Sequence, residues 1–308
     1  MPKNAWGPAH EIGHIHQLAI DWPSSTESSN NLFSNFILYK LGKYCSRGTE
    51  LNLPKAADNR TTNSEGNITG MTLSEAHCVL NRPWCNFGSN YQGENTELHM
   101  RMNWQLWNYY HRCGHKTDFW QRLFKLMREN RTSSNNPGVK QLLFARMASE
   151  AAQEDLTEFF EMWGFFVTVD TQIDQYGSYQ YTVTKEMIEN TKKAMAKYPK
   201  KAKPFYYLED RKKGDIGLDT TPPDVGHYTQ FQRIRPITKD IKGNINGREV
   251  SITNGDEAVA FELRGKDANG KLLYFSTFIK FEVPLTVSLT YAKLYAVQAD
   301  GKRILLEE

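Results

Sequence analysis

The residues best equipped for chemistry lie near the start of the chain, in Trp6-Gly7-Pro8-Ala9-His10-Glu11-Ile12-Gly13-His14-Ile15-His16-Gln17. Their kernel is the spacing H-E-x-x-H. On a helix, His10 and His14 project from one face about one turn apart, close enough for both imidazoles to hold a single metal ion. Glu11 stands beside that face. When two histidines and one more protein ligand hold Zn²⁺, a water fills the open position, and a neighbouring carboxylate can take its proton as it attacks a carbonyl. The pattern is that of a metal-assisted hydrolytic site with Glu11 as general base.

Such a site needs a third donor. A histidine at H-E-x-x-H-x-x-G-x-x-H spacing would fall at position 20, which is Ile20, so that design is excluded. Glu27 is the next option, beyond a turn at Asp21-Trp22-Pro23-Ser24-Ser25 that can fold a second helix back onto the first. It has two readings. As a ligand it completes a His₂Glu set with His10 and His14; as the last residue of Ser24-Ser25-Thr26-Glu27 it belongs to a capping box and bonds back to its own helix. The need for a third donor, with no other carboxylate from Glu27 until Glu50, favours the ligand. His16 lies off the ligand face and reads as a supporting or surface histidine.

The elements that must position these residues follow from periodicity. Pro8 suits the first turn of a helix over 8–20, with Ile12, Ile15, Leu18 and Ala19 as its apolar contacts and Gly13 allowing close packing. A second helix over 25–41 carries Leu32, Phe33, Phe36 and Ile37 at helical spacing. Its Asn30 and Asn31 can orient a ligand histidine or simply be solvated. Residues 45–70 turn polar and read as a surface excursion. Helical patterns resume over 72–80, 97–111, 118–128, 137–152, 155–165 and 184–198, with caps at Asp118 and Thr184 and Pro137 in a first turn. His99, Arg101, Tyr109, Tyr110, His111 and His115 are the donors available to stabilise an oxyanion, and spacing does not choose among them.

Near 219–224 the chain reads as a linker, and beyond it as strands over 250–253, 258–263, 272–281, 285–290 and 293–297. Asn254-Gly255, Asn269-Gly270 and Asp300-Gly301 are their turn signals. This predicts an α+β multidomain chain, a mainly helical domain over 1–218 followed by a small β-sandwich over 219–308. The second module holds no catalytic constellation; it braces the first, or presents Tyr228, Phe231 or Tyr291 to a glycan or partner.

Composition narrows the classes. With 308 residues, 39% of them hydrophobic, there is material for a sizeable core. A net charge of +3 from 38 basic and 35 acidic residues argues against nucleic acid as partner, and no apolar run reaches the roughly 20 residues of a membrane span. Cys45, Cys78, Cys85 and Cys113 allow two disulfides, with Cys78–Cys85 one candidate pair; buried free thiols are the alternative.

Trp6-Gly7, His10-Glu11-x-Gly13-His14-x-x-Gln17, Trp22, and Glu27 followed by Asn30-Asn31-Leu32-Phe33 together resemble the family of viral enhancins and bacterial mucin-degrading zinc metallopeptidases, the M-sixty type of gluzincin. The stretch Asp155 to Phe165 resembles that family near the end of its catalytic domain. The resemblance implies zinc ligands His10, His14 and Glu27, Glu11 as general base, and an endopeptidase of mucin-like or other glycosylated proteins in an extracellular, cell-surface or periplasmic setting. Such a domain normally carries a sheet upstream of its active-site helix. Only nine residues precede His10, so the expectation is a bacterial member lacking the upstream part of the domain and any signal sequence. The competing expectation is a non-catalytic protein that binds glycoprotein on the same fold.

Overall fold

The computed structural model describes residues 6–17, 20–40, 61–62, 68–69, 83–85, 96–112, 115–200, 236–298 apart from 259, 269 and 277, and 302–306. Helix α1 spans Trp6–His16 and α2 Thr26–Lys40. Two short strands follow, β1 (Thr61–Thr62) and β2 (Ile68–Thr69). Next come α3 (Thr96–Leu106), which widens into a π-helical turn over Trp107–Arg112, then α4 (Phe119–Glu129), α5 (Pro137–Ala152) and α6 (Thr157–Met162). A hairpin of β3 (Val169–Asp174) and β4 (Ser178–Val183) precedes α7 (Lys185–Met195). The last strands are β5 (Lys242–Asn246), β6 (Glu249–Thr253), β7 (Ala260–Gly265), β8 (Leu272–Ser276), β9 (Lys280–Glu282), β10 (Ala292–Val297) and β11 (Arg303–Leu305). Helices and β-sheets are both present, an α+β arrangement.

Local chemistry explains several boundaries. Asn136 caps α5 by accepting the Gly138 N–H at 2.9 Å, with Pro137 behind it, and Thr184 caps α7 by accepting from Met187 N at 3.2 Å. Asp118, expected to cap α4, makes no such bond; α4 is held instead by its buried stripe of Phe119, Trp120, Leu123 and Met127. The largest core joins these helices through Trp22, Trp84, Trp120, Phe144, Phe160 and Trp163, among others.

The strands form a five-stranded sheet ordered β1-β2-β9-β6-β5 and a four-stranded sheet ordered β11-β10-β7-β8. Val250, Ile252 and Phe281 of the first and Phe261, Leu263, Tyr274 and Leu294 of the second share one apolar cluster. The other side of the four-stranded sheet contributes Ala260, Phe275 and Val297 to the helical core, so β7 is buried on both faces and does not alternate cleanly with solvent. Arg303 reaches Glu158 of α6 at 3.2 Å across the same junction.

Several expectations fail in instructive ways. Ile12 and Ile15 are 49% and 69% exposed, because the face of α1 turned to the protein is the one carrying Trp6, Ala9 and Gly13. The polar excursion is not wholly surface loop: β2 pairs in parallel with β9 through Ile68 and Phe281 and joins the C-terminal sheet. The run 285–290 is no strand. Pro284 has no N–H to donate, and Arg248 draws in the carbonyls of Pro284 and Val287 at 2.6 and 2.9 Å, closing the segment as a loop with Leu285 exposed. Strands β1 to β5 and β11 add to those expected, and the single strand expected over 272–281 divides into β8 and β9. The 72–80 helix, the 219–224 linker, Tyr228, Phe231 and three of the cysteines lie outside the described residues; Cys85 is a free, buried thiol whose pKa burial pushes up to about 12.

A candidate metal centre between the first two helices

The turn between α1 and α2 is tied by polar contacts. Gln17, at the end of α1, donates to Thr26 O at 3.0 Å, and Thr26 Oγ1 donates to Asp21 Oδ1 at 2.7 Å. Trp22 anchors the turn, buried against Phe144 and Phe165. Gly13 is where the two helices approach: a Cβ there would lie 2.0 Å from Asn30 Oδ1. Helix α2 buries the polar Ser28, Asn30, Asn31, Ser34 and Asn35, with Asn30 against Gly13 and Asn31 against His10, while Leu32 and the half-buried Phe33 and Phe36 pack in the helical core.

This packing brings His10, His14 and Glu27 together. One ligating atom from each can be chosen so that all lie within 4.8 Å of one another, the sole such group of histidine, cysteine and acidic side chains among the described residues. His10 Nε2 lies 3.4 Å from Glu27 Oε2 and His14 Nε2 lies 3.9 Å from Glu27 Oε1. The His10 ring is stacked on Trp6 and its Nδ1 meets Asn31 Oδ1 at 2.8 Å. An amide oxygen only accepts, so Nδ1 is the donor in this contact, and in the neutral ring the Nε2 lone pair then faces the carboxylate. Two imidazole nitrogens and a carboxylate oxygen, one ring fixed by an outer hydrogen bond, suit a zinc ion with one position open. Glu11 is exposed on α1 next to His10, and His16 is exposed near Phe33.

A cavity of 510 Å³ opens beside His14, bordered by Asp21, Lys140 and the hairpin residues Gln175, Tyr176 and Tyr179. Tyr176 donates its phenolic proton to Glu27 Oε1 at 2.7 Å. Sequence reading did not single out Tyr176. It lies 149 positions from Glu27, and its only local signal was a Tyr-Gly pair between two β-prone runs. The donors considered from the sequence have these surroundings. His99 is buried against Trp84 and bonded to its carbonyl, Tyr110 donates to Glu154, Tyr109 stacks on His115, and His111 stacks on Trp107. The Arg101 side chain lies outside the described residues.

The family model described as peptidase M60, enhancin and enhancin-like matches residues 1–164, and that of the peptidase M60 C-terminal domain matches 240–305. A solved metallopeptidase in complex with Tn antigen is 56% identical with a TM-score of 0.79, over 98% of this chain and 54% of that one. A metallopeptidase from Bacteroides thetaiotaomicron is also 56% identical, with a TM-score of 0.80, over 98% of this chain and 49% of that one. A TRPM8 channel-associated factor homolog of Xenopus laevis is 28% identical over 171 residues, 52% of this chain and 15% of that protein. The chain thus spans about half the length of these solved relatives and 15% of the curated one. Since the first model alone matches more than half of its residues, the chain belongs to the peptidase M60, enhancin and enhancin-like, family.

Proposed function

We propose that the chain is the zinc-binding part of an endopeptidase that cuts mucin-like or other glycosylated proteins. The observation that carries the reading is the convergence of His10, His14 and Glu27, with His10 held by Asn31 in the tautomer that turns Nε2 inward. In this reading those three side chains hold the ion. A bound zinc ion supplies Lewis acidity to the scissile carbonyl and brings the pKa of a water toward about 7. Glu11 accepts a proton from the attacking water on its carboxylate and returns it to the departing amine nitrogen. The cavity beside His14 receives the residues flanking the scissile bond, with Tyr176 and Tyr179 as its walls.

The glycoprotein preference is supported by membership of the family and by the relative solved in complex with Tn antigen. An extracellular, cell-surface or periplasmic site of action fits that substrate, and no helix among the described residues is long and apolar enough to cross a membrane. We further read residues 219–308 as a β-sandwich bracing a mainly helical catalytic part over 1–218.

Metal analysis and mucin digestion, with Glu11→Gln beside the parent, test the reading. The expected outcome is stoichiometric zinc in both and a loss of about 10²–10⁴-fold in cleavage rate for Glu11→Gln. A protein that binds mucin equally in both forms and cuts it in neither is the non-catalytic binder instead. Repeating the digest on deglycosylated substrate tests the preference, and undiminished cleavage there refutes glycan-dependent recognition.

A further inference from the structure

The β3–β4 hairpin is anchored at both ends, and its tip points at Glu27. At its base, Asn136 Nδ2 donates to Thr182 O at 2.9 Å and Thr182 N donates to Asn136 Oδ1 at 3.0 Å. Gly138 lets the strand settle there, since a Cβ would come within 2.3 Å of Thr182 O. At the tip, the buried Gln175 side chain accepts the Ser24 N–H at 2.6 Å, which fastens the hairpin to the turn from which α2 starts. Ser24 itself has φ +82°, a conformation that costs a non-glycine residue of order 1 kcal/mol or more and persists where surrounding contacts impose it.

Between these anchors Tyr176 occupies a three-residue loop closed by Gln175 N donating to Gly177 O at 2.9 Å. Its φ is +54°, rare for a bulky aromatic residue. The ring is 71% exposed, so burial of apolar surface does not account for its pose. What the strained turn achieves is to put the phenol 2.7 Å from Glu27 Oε1.

We propose that Tyr176 is a positioning residue: its hydroxyl, carried by a hairpin latched through Gln175 to Ser24, fixes the rotation of the Glu27 carboxylate so that Oε2 faces His10. The inference rests on the metal centre proposed above and extends it with a contact from a distant element. A carboxylate on the first turn of a helix has free rotamers, and freezing them before the cation arrives removes an entropy cost from binding. Because Gln175 fastens to the turn preceding α2, the phenol and the carboxylate are indexed to the same few residues, and a shift of one carries the other.

The test measures zinc dissociation constants by chelator competition for the parent, Tyr176→Phe and Glu27→Gln, with the melting temperature of each metal-free protein and mucin cleavage at rising zinc. Tyr176→Phe removes one exposed hydroxyl and no core contact. The expected result is a 10–100-fold weaker zinc affinity at an unchanged metal-free melting temperature, a larger loss in Glu27→Gln, and cleavage by Tyr176→Phe recovered by added zinc. Zinc affinity equal to the parent's in Tyr176→Phe overturns the inference while leaving the metal centre standing. Lost cleavage that saturating zinc does not restore overturns it too, by making the phenol a catalytic group. A parent that binds no zinc overturns both readings at once.

Discussion

Glu27 and Glu262 are both carboxylates surrounded by nitrogen-bearing side chains, yet the two surroundings differ in charge and burial. Glu262, fully buried on β7, meets the guanidinium groups of Arg264 and Arg303; Arg303 Nε lies 2.5 Å from one oxygen, and Arg264 Nη2 lies 3.1 Å from the other. Burial pushes its pKa up, but the bond to Arg264 and the charges of Arg264 and Arg303 outweigh that and hold it below the ordinary carboxylate range. Glu27 faces two imidazoles, one with its lone pair turned inward, and its side chain keeps 20% of its exposure. The first cluster brings its own permanent cations and is structural. The second pairs a carboxylate with two imidazoles and a phenol that carry no permanent charge, and in the proposed reading it takes its cation from solution.

The comparison can be broken at either end, and the largest effect is expected at the buried one. Glu262→Gln leaves two buried guanidiniums poorly compensated and is expected to cost about 3–5 kcal/mol in denaturant unfolding near pH 7. Zinc affinity of the folded fraction should not change; a parallel loss of zinc would mean the two clusters are coupled. Glu27→Gln is expected to do the reverse, weakening zinc by more than about 100-fold, roughly 2.7 kcal/mol, with metal-free stability within about 0.5 kcal/mol of the parent. If its metal-free stability falls as far as that of Glu262→Gln, the carboxylate is structural and the contrast is lost.

Smaller changes sharpen the contrast. Asn31→Ala frees the His10 ring and should weaken zinc by about tenfold, read by the same chelator competition. The smallest effect is a slope. Because the folded protein holds Glu262 below its ordinary pKa, the unfolded chain binds that proton more readily, so its stabilising contribution is complete above about pH 4.5 and is lost as pH falls through the folded value. Melting temperatures from pH 6 downward should fall less steeply in Glu262→Gln than in the parent, and coincident slopes would remove Glu262 from the acid response.

How far the site was legible follows from sequence separation. His10 and His14 need only a helix to share a face, and Pro8 and the periodicity supplied one. Glu27 needed a second helix folded back by the turn at Trp22, legible in outline, but its choice between a cap and the histidines was not legible, and the structure puts its oxygens 3.4 and 3.9 Å from the two imidazoles. The exposure of Ile12 and Ile15 could not be read, because apolar side chains occur on both sides of α1 and only packing reveals which side Gly13 brings against Asn30. The second module was legible as strands because turn residues and β-branched runs are local signals. The loop that replaces a strand after Pro284 and the recruitment of Ile68 depend on partners far along the chain.

Taken alone, the amino-acid order determined the helix that carries His10, Glu11 and His14 and its likeness to one peptidase family, since each is encoded within a few helical turns. Only the tertiary structure decided that Asn31 orients His10, that Tyr176 reaches Glu27 from a hairpin, and that Glu262 is matched by two arginines. Those contacts join segments whose closeness is set by the burial of Trp22, Phe144 and their neighbours, a collective property that no short stretch of residues carries.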